Sequence, residues 1–413
     1  MTPAPRPIDP RVPALVRASL SRRSVLLGAA GLAGLAACGT GSATPSGTGG
    51  GSGSAAGSGA AKPSPATDRS ATDKVVNWAN WTLYLDYDEK TKKYPTLEAF
   101  QRQSGIKATY AEDIDDNDTY YGKIQSQLRT GKDIGKDVIV FTDWMAARCI
   151  RAGYAQQLDP AAIPNAKNLL AAQKDVDYDP GRKYSLPWQG VYGVLAWNKE
   201  KVPKGLKNVS DLWQPALKGR VEVLSEMRDT VGLIMLEQGV DISSNFSADQ
   251  FGTAVGELEK HIKDGQIRQV KGNSYKEDLI SGDALAVIGW SGDIFQLNAE
   301  NGDKWGFALP EAGGTIAFDN MLVPVGSPHL GNAEKLIDYY YDPQVAATVA
   351  AYVNYVCPVE GAQEAMEKID PDLATSPWIF PTAADQAKSK SFRSLTPDED
   401  TSFSEAFQKV IGN

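Results

Sequence analysis

The chain has 413 residues and a formal net charge of −9. Its first 37 residues hold five arginines and one aspartate, so the rest carries −13, a charge that repels nucleic-acid phosphates and concentrates cations. With two histidines and three cysteines there is no HExxH, paired-His or Cys-rich pattern, so zinc chemistry, His-based triads and a resident cofactor are not expected.

The amino-terminal 37 residues run from Arg6, Arg11, Arg17, Arg22 and Arg23 into the apolar "SVLLGAAGLAGLAA" of Ser24 to Ala37. That run is shorter than the roughly 20 apolar residues that cross a bilayer, and its layout is that of an export signal over 1–37. "SRRSVLL" looks like a twin-arginine export motif, with Val25 in place of the usual Phe and no following Lys. "LAAC" resembles a bacterial lipobox, which makes Cys38 the first mature residue and the site of lipidation; the alternative is a plain cleaved signal with an incidental cysteine. Residues 38–72 then form a linker rich in Gly, Ser, Ala, Thr and Pro, too poor in large apolar groups to offset ordering entropy. A lipid there would hold the body at the outer face of the cytoplasmic membrane, or in a periplasm, without inserting it.

The remaining 340 or so residues suit two lobes better than one core, by about 100–150 residues per domain. "KVVNWANW" alternates as a strand, and "PTLEAFQRQSG" reads as a helix with Pro95 at its start and Gly105 past its end. "IKATY" is a strand, "DTYYGKIQSQLRTG" a helix, and "DVIVF" a continuous apolar strand of the kind buried on both faces. "TDWMAARCIRAGY" is a helix with Thr142 at the N-cap and Gly153 as its stop. This βαβαβα order predicts a mostly parallel sheet with helices on both faces.

After "YSLPWQGVYGVLAWNKE" a second series begins. The strand "GRVEVLS" is followed by the helices "DTVGLIMLEQG" and "FGTAVGELEKHIKDG", the strand "DALAVIGW" and the helix "SGDIFQLNAENG". "WGFALP", "GTIAFDNMLVPV", the helices "NAEKLIDYYYD" and "PQVAATVAAYV", and a polar tail close the chain. Cys149 falls in a helix and Cys357 in a loop; buried free thiols are favoured over a disulfide, whose proximity requirement a sequence cannot establish.

Open α/β sheets bind ligands beyond the carboxyl ends of their strands. Trp290 and Asp293 stand at one such end. They read either as an interior Trp with a dipole-favoured helix-start Asp, or as an indole face and carboxylate for one ammonium. Trp81 and Tyr84 follow the first strand. Thr142 offers a hydroxyl, and Trp144 faces either the cleft or the core. Glu226 and Asp229 lie three apart at a strand-to-helix turn, one as a distal carboxylate for a second amine and the other as a cap. Asp319 interrupts an apolar run, so it needs a structural partner or a cationic ligand. "AEDIDDND" is not an EF-hand, because Asp118 and Ile124 occupy the positions that require Gly and Glu.

"NWT.Y", "YSLPW..VYGVLAWN", "VIGWSGDIF" and "FDNMLVP", in this order and spacing, resemble the polyamine-binding (spermidine/putrescine) subunits of bacterial ABC importers. The resemblance spans about Val75 to the C-terminal helices. It implies a two-lobed, periplasmic-binding-protein-like (type II) α/β fold that closes on its ligand. Lobe 1 would comprise 73–192 plus 318–363 and lobe 2 193–317 plus 364–413, with crossings around Gly190 to Asn198 and near Asp319. Carried over by position, the aromatic box falls on Trp81, Tyr84, Trp290 and Tyr355, the amine-binding carboxylates on Glu226, Asp229, Asp293 and Asp319, and a serine hydroxyl position on Thr142. One end of the ligand would then meet Asp319, Asp293 and Trp290, and the other Glu226 or Asp229. Trp144 replaces a Tyr, Ala317 stands where an aromatic is common, and no matching C-terminal glutamine is found, departures that bear on ligand length and selectivity.

The resemblance implies a lipid-anchored monomer that hands a linear polyamine to a membrane permease, with no bond broken. The rivals are a secreted hydrolase using two carboxylates and a sugar-binding transporter subunit. Charge separates them, since binding of a polyamine weakens with salt and binding of a neutral sugar does not.

Overall fold

The computed structural model describes residues 62–412; the export signal, Cys38 and most of the linker lie outside the described residues. Strand β1 (Val75–Trp81), helix α1 (Pro95–Ser104), β2 (Lys107–Ile114), α2 (Asn117–Arg129), β3 (Val138–Thr142) and α3 (Asp143–Ala152) follow in the order expected. Pro95 starts α1 where its missing N–H costs nothing, and Gly105 stops it at φ 69°, returning its N–H to Gln101 O. Thr142 does occupy the N-cap position of α3, yet its hydroxyl does not cap the helix; it is committed elsewhere, as described below.

The second series comprises β4 (Ser185–Asn198), β5 (Val221–Leu224), α4 (Met227–Glu237), α5 (Ala248–Lys263), β6 (Ile267–Lys271), α6 (Tyr275–Ser281), β7 (Ala286–Trp290), α7 (Ser291–Asn301), β8 (Trp305–Ala308) and β9 (Gly314–Leu322). Helices α8 (Leu330–Tyr340) and α9 (Pro343–Val353) follow, with the short strand β10 (Ser389–Lys390) near the end. Among the elements not expected are β6, α6 and a helix over Pro397–Ile411 in the stretch read as a polar tail. That helix starts with a capping box between Thr396 and Glu399 and buries Phe403 and Phe407.

Strand order is β2-β1-β3-β9-β4-β7-β5-β6, with β8 added to β4 and β10 to β9. The outer strands keep the expected parallel pairing, β1 with β2 and β3, and β5 with β6 and β7. The centre is antiparallel: β9 pairs β3 and β4, and β4 pairs β7. Each half is therefore a parallel set with its helices, and β4 and β9 stitch the halves together.

Two hydrophobic cores lie on either side of that stitch. Leu186 and Trp188 of β4 pack in the first, and Tyr192, Val194 and Leu195 in the second. On β9, Phe318 packs in the second and Met321 and Leu322 in the first. The strands change core side by side, where Gln189 pairs with Asp319 and Gly190 with Phe318. A Cβ at Gly190 would sit 2.7 Å from the Phe318 ring, so this crossing requires glycine. Further on, Ala365, Met366, Ala374 and Ile379 pack in the first core and Leu395, Phe403 and Phe407 in the second. The segment from Leu395 onward thus packs with the second core.

The halves meet through polar contacts. Ser225 Oγ donates to Asp116 Oδ2 at 2.9 Å, Gln296 Nε2 to Val353 O at 3.0 Å, and Arg148 pairs with Asp400 at 3.1 Å. Cys149 and Cys357 are buried free thiols, both pushed up to about 12 by burial.

Candidate ligand-binding site

The turns after β1, β3, β5 and β7 open into one cleft between the halves. Trp81, Thr82, Tyr84, Thr142 and Tyr355 line it from the first half and Glu226, Asp229, Asn273 and Trp290 from the second. Val191, Ala317 and Asp319 of the crossing strands form its floor. The strand-end rule therefore located the cleft.

Aromatic groups form two edge-to-face pairs. Trp81 and Trp290 lie 6.3 Å apart at 76°, and Tyr84 and Tyr355 lie 5.1 Å apart at 81°. Trp81 is anchored by its Nε1 donating to Val140 O at 3.2 Å. The turn leading to Tyr84 passes through Leu83 at φ 59°, and its N–H donates to Glu112 Oε1 at 3.0 Å. Tyr355 fits against the start of α7 only because residue 292 is glycine, since a Cβ there would lie 2.5 Å from the ring.

The four acids fall into two classes. Asp319 is 6% exposed and accepts from Thr142 Oγ1 at 2.7 Å and Tyr84 Oη at 2.8 Å. Asp229, also 6% exposed, accepts from Thr315 Oγ1 at 2.6 Å and Trp290 Nε1 at 2.9 Å. Neither forms a salt bridge to a basic residue among the described residues. Burial raises the Asp319 carboxyl to about 6, against the lowering effect of its hydrogen bonds, and raises Asp229 in the same way.

Glu226 and Asp293 are already engaged. Glu226 caps α4 by accepting from Arg228 N at 3.2 Å, and its other oxygen accepts from Trp144 Nε1 at 3.0 Å and Asn117 Nδ2 at 3.4 Å. Burial pushes it up to about 8, although Arg228 opposes this with NH1 at 4.0 Å. Asp293 lies outside the lining: Oδ1 accepts from Lys276 Nζ and Tyr355 Oη, both at 2.9 Å, and Oδ2 from Tyr275 Oη at 3.0 Å. Trp290 Nε1 donates to Asp229, while Asp293, expected beside it, accepts from Tyr275, Lys276 and Tyr355.

Trp144 also sits outside the cleft. Arg228 lies 4.1 Å and Arg148 4.8 Å from its ring centroid, so its faces are taken by resident cations while its N–H reaches across to Glu226.

Thr82, Val191, Asn273 and Thr315 were not singled out from the sequence. Asn273 follows β6, the strand that was overlooked, so the usual strand-end signal was lost with it. Its Oδ1 is buried without a hydrogen-bond partner among the described residues, and the residue lines the cleft. The described residues include no group of acids, histidines and cysteines arranged to hold a metal ion.

A cleft lined by aromatic rings and by two carboxylates without a basic partner among the described residues has the chemistry to hold an organic cation. The family described as bacterial extracellular solute-binding protein matches residues 96–381, and the chain belongs to it. Among its relatives is the putrescine-binding periplasmic protein PotF of Escherichia coli, 26% identical over 363 residues, 83% of this chain and 92% of that protein. The putrescine/cadaverine-binding protein of Pseudomonas aeruginosa is 27% identical over 344 residues, 80% and 91% of the two chains. The fold is shared with the spermidine/putrescine ABC transporter substrate-binding protein PotD of Streptococcus pneumoniae, at a TM-score of 0.66 and 21% identity over 82% of this chain and 98% of that one. It is shared also with the TpPotD lipoprotein of Treponema pallidum, at 0.67 and 18% over 82% and 100%. These relatives are binding proteins, so the hydrolase alternative falls away. No helix of the described residues is long and apolar enough to cross a membrane.

Proposed function

We propose that this protein is the extracytoplasmic receptor of an ABC importer and captures a linear polyamine for delivery to the permease. The observation that carries the reading is the pair Asp229 and Asp319, two buried carboxylates in an aromatic cleft without a basic partner among the described residues. Each is held by hydroxyl or indole donors that fix its oxygens but leave its charge uncompensated, and burying such charges is costly until a cation arrives.

In this reading Trp81, Trp290, Tyr84 and Tyr355 flank the methylene chain, Asp229 and Asp319 hold its ammonium groups, and Asn273 Oδ1 accepts a further N–H. Thr142 and Tyr84 orient Asp319; Trp144 and Asp293 support the cleft from behind, and Glu226 lines it while capping α4. The lobes close about β4 and β9, and a ligand touching both favours the closed form in proportion to its preference for it. Export by the twin-arginine signal and lipidation of Cys38 tether a single copy outside the cytoplasmic membrane, consistent with the lipoprotein named among the structural neighbours. Replacing Cys38 by Ala should release the protein into the soluble fraction.

The test is a thermal-shift series with putrescine, spermidine, spermine and a neutral sugar. A polyamine at 100 times its Kd adds about 2.7 kcal/mol of stability. A shift with the sugar and none with any amine would favour the sugar-binding alternative.

A further inference from the structure

We propose that Lys276 is a specificity-determining residue: by neutralising Asp293 it leaves two uncompensated carboxylates at the cleft, so that the receptor prefers a diamine to a triamine. The inference rests on the polyamine reading above and adds a built-in cation to it.

Lys276 Nζ is 2.9 Å from Asp293 Oδ1, and the two side chains are 13% and 4% exposed, so the pair is largely withdrawn from solvent screening. Asp293 touches the cleft through Tyr355, whose hydroxyl donates to the same oxygen while its ring lines the wall. The ammonium of Lys276 therefore stands directly behind the aromatic box. Glu226, the fourth acid, is likewise spent: its oxygens accept from Trp144, Asn117 and the Arg228 backbone, with the Arg228 guanidinium at 4.0 Å.

Three acids line the cleft, Glu226, Asp229 and Asp319, and of these only Asp229 and Asp319 have no guanidinium or ammonium within 4.0 Å among the described residues. Two negative charges match two ammonium groups. A third ammonium would enter a low-dielectric site with no free acid and with Lys276 as a like charge nearby, a desolvation cost without return. The small side chains of Val191 and Ala317 shape the floor but supply no charge.

The experiment is calorimetric titration of the full-length protein at pH 7.5 with putrescine and with spermidine. Wild type should bind putrescine more tightly. Lys276→Met frees Asp293 and should raise spermidine affinity relative to putrescine by roughly tenfold. Lys276→Arg should return the ratio toward wild type, and the double variant Lys276→Met/Asp293→Asn, which removes the stranded acid, should do the same and serves if the single variant folds poorly. An unchanged ratio in Lys276→Met, or tighter spermidine binding by wild type, overturns this inference while leaving the polyamine reading intact. Failure of wild type to bind either amine overturns both.

Discussion

A carboxylate held by hydroxyl and indole donors keeps a charge to give, whereas one held by lysine has already given it. That distinction sorts Asp229 and Asp319 from Asp293, and it makes Asp319 the residue whose loss should matter most. Asp319→Asn should weaken putrescine binding by about 1.5–3 kcal/mol, the value of a charge-assisted hydrogen bond, read by calorimetry. The pH dependence follows from the same side chain. Its carboxyl is raised from an ordinary 3.8 to about 6 in the folded, unliganded protein, so below pH 6 the folded state binds a proton the ligand must displace. Affinity should therefore fall as pH drops from 7 to 5, with proton release near pH 6 visible as a buffer-dependent binding enthalpy. The unliganded protein should respond in the opposite sense. Because the folded state binds more protons than the unfolded one between 3.8 and 6, this group adds stability as pH falls through that window.

At the scale of elements, the alternation of "KVVNWANW", the apolar "DVIVF" and the Pro95/Gly105 boundaries gave strands and helices where local chemistry agrees with the tertiary fold. The strand-end rule then brought Trp81, Tyr84, Thr142, Glu226, Asp229, Trp290 and Asp319 to one cleft. What the sequence hid were elements whose signal is half-exposed or short. The strand β6 has only Ile267 fully buried, so its alternation is faint, and missing it concealed Asn273 and Lys276 just beyond. The C-terminal helix looks polar because its buried Phe403 and Phe407 are two residues among charged neighbours, yet the Thr396/Glu399 capping box was readable. The partners of Asp293 were invisible for another reason: Lys276 comes from the neighbouring helix α6 and Tyr355 from the first half of the molecule, and only tertiary packing joins them. Phe407 is essentially fully buried in the second core, and Phe407→Ala should cost about 3–5 kcal/mol in denaturant unfolding. A loss below 1 kcal/mol would mean the helix is not a working part of that lobe.

Across the whole molecule, closure depends on contacts that span the two cores. Asp400 of the C-terminal helix accepts from Arg148 of α3 at 3.1 Å and from Arg228 of α4 at 2.9 Å, so one buried acid ties both halves. Removing one partner of such a pair strands the others and is costly. Asp400→Asn should therefore loosen the closed arrangement, giving a larger radius of gyration by small-angle scattering without ligand and a return toward wild type with it. Asp229 and Asp319 are each only 6% exposed, which makes them worth more to a cation than exposed acids would be. A crystal structure with putrescine bound measures this directly. The two ammonium nitrogens should lie about 2.7–2.9 Å from carboxylate oxygens of Asp229 and Asp319, with the carbon chain between the aromatic pairs. A ligand whose nitrogens instead meet Asp293 with Lys276 displaced, or that lies outside the cleft altogether, would contradict the account.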